Sequence, residues 1–227
     1  MYSSVSVAGS ETPVQLPAFL DGFRAIHRAM RRDAARLERV APDIGSPRQA
    51  RRLARFYDHF LVSIEHHHER EDAVVWPQLI EREPDFAAES EVLHHDHEVL
   101  HDALYAVATA LGDLVDGTVA DPATLAAATG RLRQHLNDHL DREEAAAFHR
   151  IARSFTADEY HALEKQFREG LSIAALGFEG PWVLDGLPAE QSKAMIGEVP
   201  PPLRVLYYVA FRPRYRQIAA VLEGVSR

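Results

Sequence analysis

The chain has 227 residues, 46% of them hydrophobic and 26% charged, which is ordinary for a globular protein and enough for one sizeable core. The formal net charge of −9 argues against binding nucleic acid through a general positive charge. The absence of cysteine excludes disulfides, thiolate metal sites and cysteine nucleophiles, so a metal ion would have to be held by histidine and carboxylate.

No apolar run approaches the ~18 residues of a membrane span, and the N-terminus lacks the basic and apolar regions of a signal peptide. We therefore expect a cytoplasmic protein that has no membrane partner and no nucleic-acid partner. Residues 1–15 are expected to form a flexible N-terminal arm.

The first predicted helix runs from about Pro17 to Val40. Apolar residues recur on it at steps of three and four, which is the spacing of one helix face. The members of this stripe are Leu20, Phe23, His27, Met30, Ala34 and Leu37. His27 is the one ionisable residue on that face. The arginines between Arg24 and Arg39 occupy the other faces, which we expect to be solvated.

The second predicted helix spans about residues 47–80 and begins at Ser46-Pro47, a typical N-cap and first helical residue. Its inward face follows an alternation of fours and threes. The members of this face are Leu53, Tyr57, Phe60, Ile64, His67, Glu71, Val74 and Gln78. The neighbouring His66 and His68 fall off this face, so we expect them to meet solvent or the outer part of a site.

Two further long helices follow. The third runs from about Phe86 to Val115, with Leu93, His97, Leu100, Leu104, Val107, Leu111 and Leu114 as its stripe. The fourth begins at Asp121-Pro122, with Leu125, Ala128, Leu132, His135 or Leu136, His139, Glu143 and Ala146. Four long helices with short links predict an all-α fold, with an up-down-up-down four-helix bundle over residues 16–152.

The regular spacing of apolar residues changes after residue 152. Thr156 and Glu159 form a capping box, which predicts a helix to about Leu176. Several glycines then predict a loop around Trp182. A short helix is predicted to begin at Pro188. We expect residues 153–227 to be a C-terminal helical extension that packs on the bundle or on a second copy of the chain as a homodimer.

A repeated ionisable pair is the main chemical signal. His67 and Glu71 share a helix face, and His139 and Glu143 repeat the same spacing 72 residues later. His27 and His97 stand on the helix before each pair, so the two halves resemble each other. We predict that six residues converge in one core: His27, His67, Glu71, His97, His139 and Glu143.

Such a cluster is costly to bury unless a partner compensates it. A pair of metal ions would do so, with two imidazoles on each and both carboxylates bridging. Imidazole with carboxylate suits iron, manganese or zinc. The alternative is a metal-free hydrogen-bond network.

Several other residues could join the site. His94, His101 and His135 lie within four residues of a predicted ligand and could add a ligand or a hydrogen bond to one. Tyr57 and Tyr105 fall on or beside the stripes. Core packing is the simpler interpretation for both, and a phenol that donates a proton or electron is the alternative.

The order H…HxxxE…H…HxxxE over four helices resembles the hemerythrin-like family of HHE cation-binding domains, across about residues 15–152. The matching segments are His27, His67-x3-Glu71 before Val-Val-Trp-Pro, Asp96-His97-Glu98, and His139-x3-Glu143 before Phe148. The resemblance implies two iron ions with an oxo or hydroxo bridge, with zinc or manganese as alternatives. It also implies dioxygen binding, oxygen or iron sensing, or the handling of peroxide or nitric oxide.

The sequence departs from the oxygen-carrying members in two places. Those have His-x4-Asp on the fourth helix, where this chain has His139-x3-Glu143, and a fifth histidine where this chain has Leu93. Four protein ligands and a solvent bridge would leave one open position on each iron. Two adjacent open positions favour binding and reaction with a small oxidant such as O2, H2O2 or NO, as in a peroxidase-like, catalase-like or NO-reactive oxidoreductase.

Two other functions remain open at this point. The chain could be a non-catalytic oxygen or iron sensor, or an iron-binding protein, that signals through its C-terminal extension. It could also be a structural zinc bundle.

Overall fold

The computed structural model describes residues 16–117, 121–168 and 172–224, and every regular element in those ranges is helical. The all-α prediction is therefore confirmed, whereas the expected arm at residues 1–15 lies outside the described residues. The helices are α1 (Asp21–Val40), α2 (Pro47–Arg70), α3 (Trp76–Arg82), α4 (Ala87–Asp116), α5 (Pro122–Ser154), α6 (Ala157–Arg168), α7 (Ile173–Leu184), α8 (Ala189–Glu198), α9 (Pro201–Leu206) and α10 (Arg212–Ala219). None of them is long and apolar enough to cross a membrane.

The starts of α2 and α5 and the end of α4 fall at residues whose local chemistry predicts a helix boundary. The side chain of Ser46 accepts a hydrogen bond from the Gln49 amide at the start of α2, and Asp121 accepts one from the Ala123 amide at the start of α5. Gly117 ends α4 with φ of 68°, a left-handed conformation that glycine adopts without a steric cost.

Two apolar clusters fill the core. α1 packs on α5, α5 on α4, and α4 on α2. The larger cluster includes Met30, Phe60, Leu104 and Leu136, and the smaller one includes Phe23, Trp76, Leu93 and Phe148. α1, α4 and α5 contribute to both clusters, whereas α2 contributes to the larger one and α3 to the smaller one. Along the sequence, five of the six predicted ionisable residues fall between a residue of one cluster and a residue of the other, and His139 lies beside Leu140 of the larger one.

A π-helical turn at Glu71–Val75 joins α2 to α3. It shifts the inward face by one residue, because a π turn holds one residue more than an α turn. Val74 and Gln78, predicted to face the core, are consequently only half-buried, with Val74 at the edge of the smaller cluster. Val75 and Leu79 are buried in their place.

The C-terminal region differs from its prediction. The capping box is confirmed, since the Glu159 amide donates to Thr156 Oγ1 and the Thr156 amide donates to Glu159 Oε2. The predicted loop around Trp182 is wrong, because α7 runs through it. Gly177 suits this helix because a Cβ there would lie 3.1 Å from the Phe211 ring. The predicted helix to Leu176 corresponds to α6, which is described as far as Arg168, whereas Leu176 itself belongs to α7.

The arginines of α1 hold α7 and the turn after it. Buried Asp33 accepts a hydrogen bond of 2.8 Å from the Trp182 indole and forms an ion pair of 2.6 Å with Arg32. Arg36 pairs with Asp185 at 2.9 Å. The prediction of a solvated face is therefore wrong for Arg32 and Arg36, whose partners come from a part of the chain about 150 residues away.

Candidate metal centre

The structure brings the six predicted residues together between the helices. His27 lies on α1, His67 at the end of α2, Glu71 at the start of the π turn, His97 on α4, and His139 and Glu143 on α5. The side chain of His67 is 10% exposed, and the other five residues are buried.

Four of them form what we call the first ligand group: His27, His67, Glu71 and Glu143. Their nearest ligand atoms all lie within 4.8 Å of one another. The Nε2 atoms of His27 and His67 are 3.1 Å apart. Glu71 Oε1 lies 2.7 Å from His67 Nε2 without the geometry of a hydrogen bond, so these atoms converge on a common point.

A second ligand group consists of His68, His97 and His139, whose nitrogens also lie within 4.8 Å of one another. The ring of His68 stacks on that of His97, with centroids 4.1 Å apart and planes 10° apart. The expectation that His68 points away from the site is therefore wrong. His68 follows buried Ile64 by four residues within α2, so ordinary helical spacing turns it inward before the π turn begins at Glu71.

The two carboxylates lie between the two groups. Glu71 places one oxygen 2.7 Å from His67 Nε2 and the other 3.7 Å from His97 Nε2. Glu143 Oε2 lies 3.5 Å from His27 Nε2 and 3.3 Å from His139 Nε2. Each carboxylate thus spans from one group to the other, which is the position of a bridging ligand.

The inward polar atoms have no hydrogen-bond partner among the described residues. These atoms are both oxygens of Glu71 and Glu143 and the Nε2 atoms of His68, His97 and His139. A buried polar atom without a partner costs roughly 1–3 kcal/mol, and a charged one costs more. A cation in each group would compensate this cost, so the donor set fits two metal ions.

The protonation of the histidines suits metal binding, whereas Glu71 would have to release a proton when a metal ion binds. Burial lowers the pKa of His67 and His68 well below the usual 6.5, so their rings are neutral and keep a lone pair. Burial, with the charge of Glu143, raises the pKa of Glu71. Burial also opposes the ionisation of Glu143, but nearby His27 and His139 outweigh it and lower that pKa to about 2.

Three acidic residues face the outer nitrogens of the imidazoles. His27 Nδ1 lies 2.9 Å from Glu144, His97 Nδ1 lies 3.0 Å from Asp72, and His139 Nδ1 lies 3.6 Å from Asp96. A carboxylate on Nδ1 orients the ring so that Nε2 faces the centre. Sequence reasoning missed these three residues, although each one is adjacent in sequence to a predicted ligand.

Two aromatic rings cover the first ligand group. The centroid of Phe23 lies 4.8 Å from that of His27 and 5.4 Å from that of His67. Phe148 stacks on His27 at 5.7 Å. These rings exclude water from one side of the group.

The secondary candidates stay outside the centre. His94 is exposed and contacts Asp72 at 3.0 Å, and His101 is exposed and lies 3.4 Å from Glu65. His135 belongs to neither ligand group. His94 does lie within 4.8 Å of Asp72 and His97 in a third, more exposed group that could hold a metal ion, so its alternative role as a ligand stays open. His101 and His135 belong to no such group among the described residues.

The two tyrosines are also away from the ligand atoms. Tyr57 is buried and donates a hydrogen bond of 2.7 Å to the Leu104 carbonyl, which agrees with core packing. Tyr105 is exposed and lies against His101.

The buried histidines and carboxylates between the long helices define a helical protein with a cluster that could hold metal ions. The family model described as hemerythrin HHE cation binding domain matches residues 18–170. The chain therefore belongs to the hemerythrin HHE cation-binding domain family. The comparisons with curated proteins and with solved structures gave no match.

Proposed function

We propose that the chain is a non-haem di-iron protein that binds and reacts with a small oxidant: O2, H2O2 or NO. The proposed ligands are His27, His67, Glu71, His97, His139 and Glu143, with His68 added. The bundle that carries them would be an antiparallel four-helix unit over residues 16–152, in a cytoplasmic protein. When bound, two irons supply two-electron chemistry between the ferrous and ferric states.

The position of the two carboxylates is the observation that carries this proposal. Glu71 and Glu143 each approach one imidazole of the first ligand group and one of the second, at 2.7 to 3.7 Å. A single ion would leave one of the two groups uncompensated. Two ions with a solvent bridge between them would use all seven side chains.

The addition of His68 changes the expected number of open positions. The second ligand group would give one iron three imidazoles, two carboxylate oxygens and the solvent bridge, which fills six positions. The first group would give the other iron two imidazoles and the same bridges, which leaves one position open. A small oxidant would therefore bind on the side of His27 and His67, beneath Phe23.

The chain's own residues prepare this site in three ways. Burial keeps the imidazoles of His67 and His68 neutral, the outer carboxylates of Asp72 and Glu144 fix two of the rings, and Phe23 with Phe148 keeps water away. These features would support the binding of a small oxidant and electron transfer to it.

Metal analysis together with an optical spectrum tests the proposal. The protein from cells grown with ample iron should contain two irons per chain and absorb in the near-ultraviolet. A colourless protein with two zinc ions per chain would overturn the di-iron assignment and favour a structural zinc bundle.

A sensor is the second candidate, and one set of contacts favours it. The C-terminal extension, residues 153–227, contacts the segment beside the site, since Glu179 on α7 lies 3.9 Å from His66, next to His67. A change at the site could then reach a second copy of the chain as a homodimer through the extension.

Turnover separates the two candidates. The iron-loaded protein should consume peroxide or NO, and Glu71→Ala should not. Glu65→Ala, on the same helix but paired with exposed His101, is the matched control and should retain turnover. If neither wild type nor variant turns over, and ligand binding changes the oligomeric state of the wild type alone, the sensor replaces the oxidoreductase.

A further inference from the structure

A cavity of about 540 Å³ lies against α1, on the outer side of the metal centre. Its lining includes four arginines of one helix and a single carboxylate: Arg24, Arg28, Arg31, Arg32 and Glu144. The volume falls in the range of small-molecule sites, about 300–1,000 Å³. The proposed function uses none of these arginines.

Two of the four arginines are available to an external anion. Arg28 donates to the backbone carbonyls of Asp185 and Gly186, so a carbonyl dipole and not a carboxylate holds it. Arg24 is 54% exposed and its ion pair with Asp21 is long, at 3.4 Å. The other two are paired more closely, Arg31 with Glu144 and Asp141 and Arg32 with Asp33 and Asp185. The positive charge that an anion could use therefore comes from Arg24 and Arg28.

The opposite wall is formed by Leu187, which precedes α8, and by Gln191 in the first turn of α8. No side chain caps the N-terminus of this helix, whose N-cap is Pro188. Its uncapped amides attract anions, whereas Glu190 in the same turn repels them, so the arginines supply the main attraction for an anion.

Local backbone geometry keeps Arg28 in position. Gly186 has φ of +69°, which an L side chain rarely adopts, and a Cβ there would lie 3.2 Å from Arg28 Nη2. The turn between α7 and α8 thus allows the guanidinium to approach its backbone. The cavity is formed by folded elements on both sides and not by one exposed charged face.

We propose that this cavity binds a small organic anion that carries phosphate or carboxylate groups. Arg24 and Arg28 would bind its oxygens, since a guanidinium matches both groups with two parallel hydrogen bonds. Leu187 and Gln191 would contact the remainder of the molecule. Arg32 stays with Asp33 and Asp185 and contributes only charge.

The bound anion would also act on the metal centre. Arg31 donates to Glu144, and Glu144 contacts His27 Nδ1 at 2.9 Å. An anion that draws Arg31 away would leave Glu144 bound to His27 alone and strengthen that contact. This coupling rests on the proposed role of His27 as a ligand, whereas binding of the anion does not.

Calorimetric titration of the full chain, with and without metal, tests the binding. The probes are glycerol 3-phosphate and succinate at constant ionic strength, and the tighter one assigns the phosphate or the carboxylate source. Saturable binding at one site is expected. Arg28→Gln should weaken it by about tenfold, the value of one lost charge-assisted contact. Arg24→Gln should weaken it severalfold without touching the α7–α8 turn.

Arg51→Gln is the matched control, because Arg51 also donates to a backbone carbonyl, that of Val115, but lies outside the cavity. It should bind as the wild type does. Absence of saturable binding by both probes, or an equal loss in Arg51→Gln and Arg28→Gln, would overturn the proposal. Binding that leaves the absorption spectrum of the iron-loaded protein unchanged would remove only the coupling to His27.

Discussion

His68 stacks face to face on His97, with ring centroids 4.1 Å apart, and its Nε2 atom is buried without a hydrogen-bond partner. The neighbouring His66 is half-buried and lies 3.9 Å from Glu179. These two residues, two positions apart on α2, therefore differ in role. Only His68 has the position of an additional metal ligand.

His68→Ala should reduce the metal content or affinity at the second ligand group. Mutation of a residue that only hydrogen-bonds to a metal ligand weakens metal binding by ~10-fold to 100-fold. Loss of an imidazole that binds the metal itself should weaken it by at least as much. Metal analysis and competition with a chelator measure the effect. His66→Ala should keep the wild-type content, and an equal loss in both variants would mean a general structural effect.

Removal of the metal should lower the thermal stability. An ion that binds only the folded chain stabilises it by about 4 kcal/mol at a thousand times its dissociation constant. A chelator should therefore lower the melting temperature of the wild type, and ferrous iron should restore it. The Glu71→Ala variant should respond much less. An unchanged melting temperature in the wild type would contradict a metal site in the core.

Asp33→Ala should destabilise the attachment of α7 to α1. The carboxylate is buried and accepts from Trp182 and Arg32, both of which would be left without this partner. Loss of one member of a buried ion pair costs about 3–5 kcal/mol. Denaturant unfolding followed by Trp fluorescence measures the change. Asp21→Ala, which removes an exposed pair with Arg24, should cost about 0.5 kcal/mol or less.

Low pH should also weaken the attachment of α7 to α1, because it protonates Asp185. Burial opposes its ionisation, but Arg36 and Arg32 outweigh burial, so its pKa lies below the usual 3.8. A carboxylate with a lowered folded pKa adds stability above its unfolded pKa, and the stability is lost as pH falls through the folded value. The free energy of unfolding should therefore fall below about pH 4, and by less in Asp185→Asn than in the wild type. An equal fall in both proteins would count against this role.

Local sequence pattern was sufficient for most of the long helices. The stripes of α1 and α4 are buried as expected, from Leu20 to Leu37 and from Leu93 to Leu114. The resemblance to the HHE family is confirmed over residues 18–170. The periodicity works here because an amphipathic helix in a bundle buries one continuous face.

The predictions that failed have separate physical causes. A regular period of 3.6 residues hid the π turn after Arg70, and with it the burial of Val75 and Leu79. The glycines around Trp182 predicted a loop, but α7 runs through Gly177 and Pro181, with Gly177 close to Phe211. Apart from adjacent Asp33, Arg32 donates to the carbonyls of Trp182 and Asp185, about 150 residues away and beyond the reach of any local pattern.

The most direct test of the account is an anomalous difference map of a crystal of the iron-loaded protein, measured at the iron absorption edge. We expect two peaks between Glu71 and Glu143, one bound by His27 and His67 and the other by His68, His97 and His139. A single peak, a peak at exposed His94 and Asp72 instead, or two peaks that appear only at the zinc edge would contradict the di-iron site.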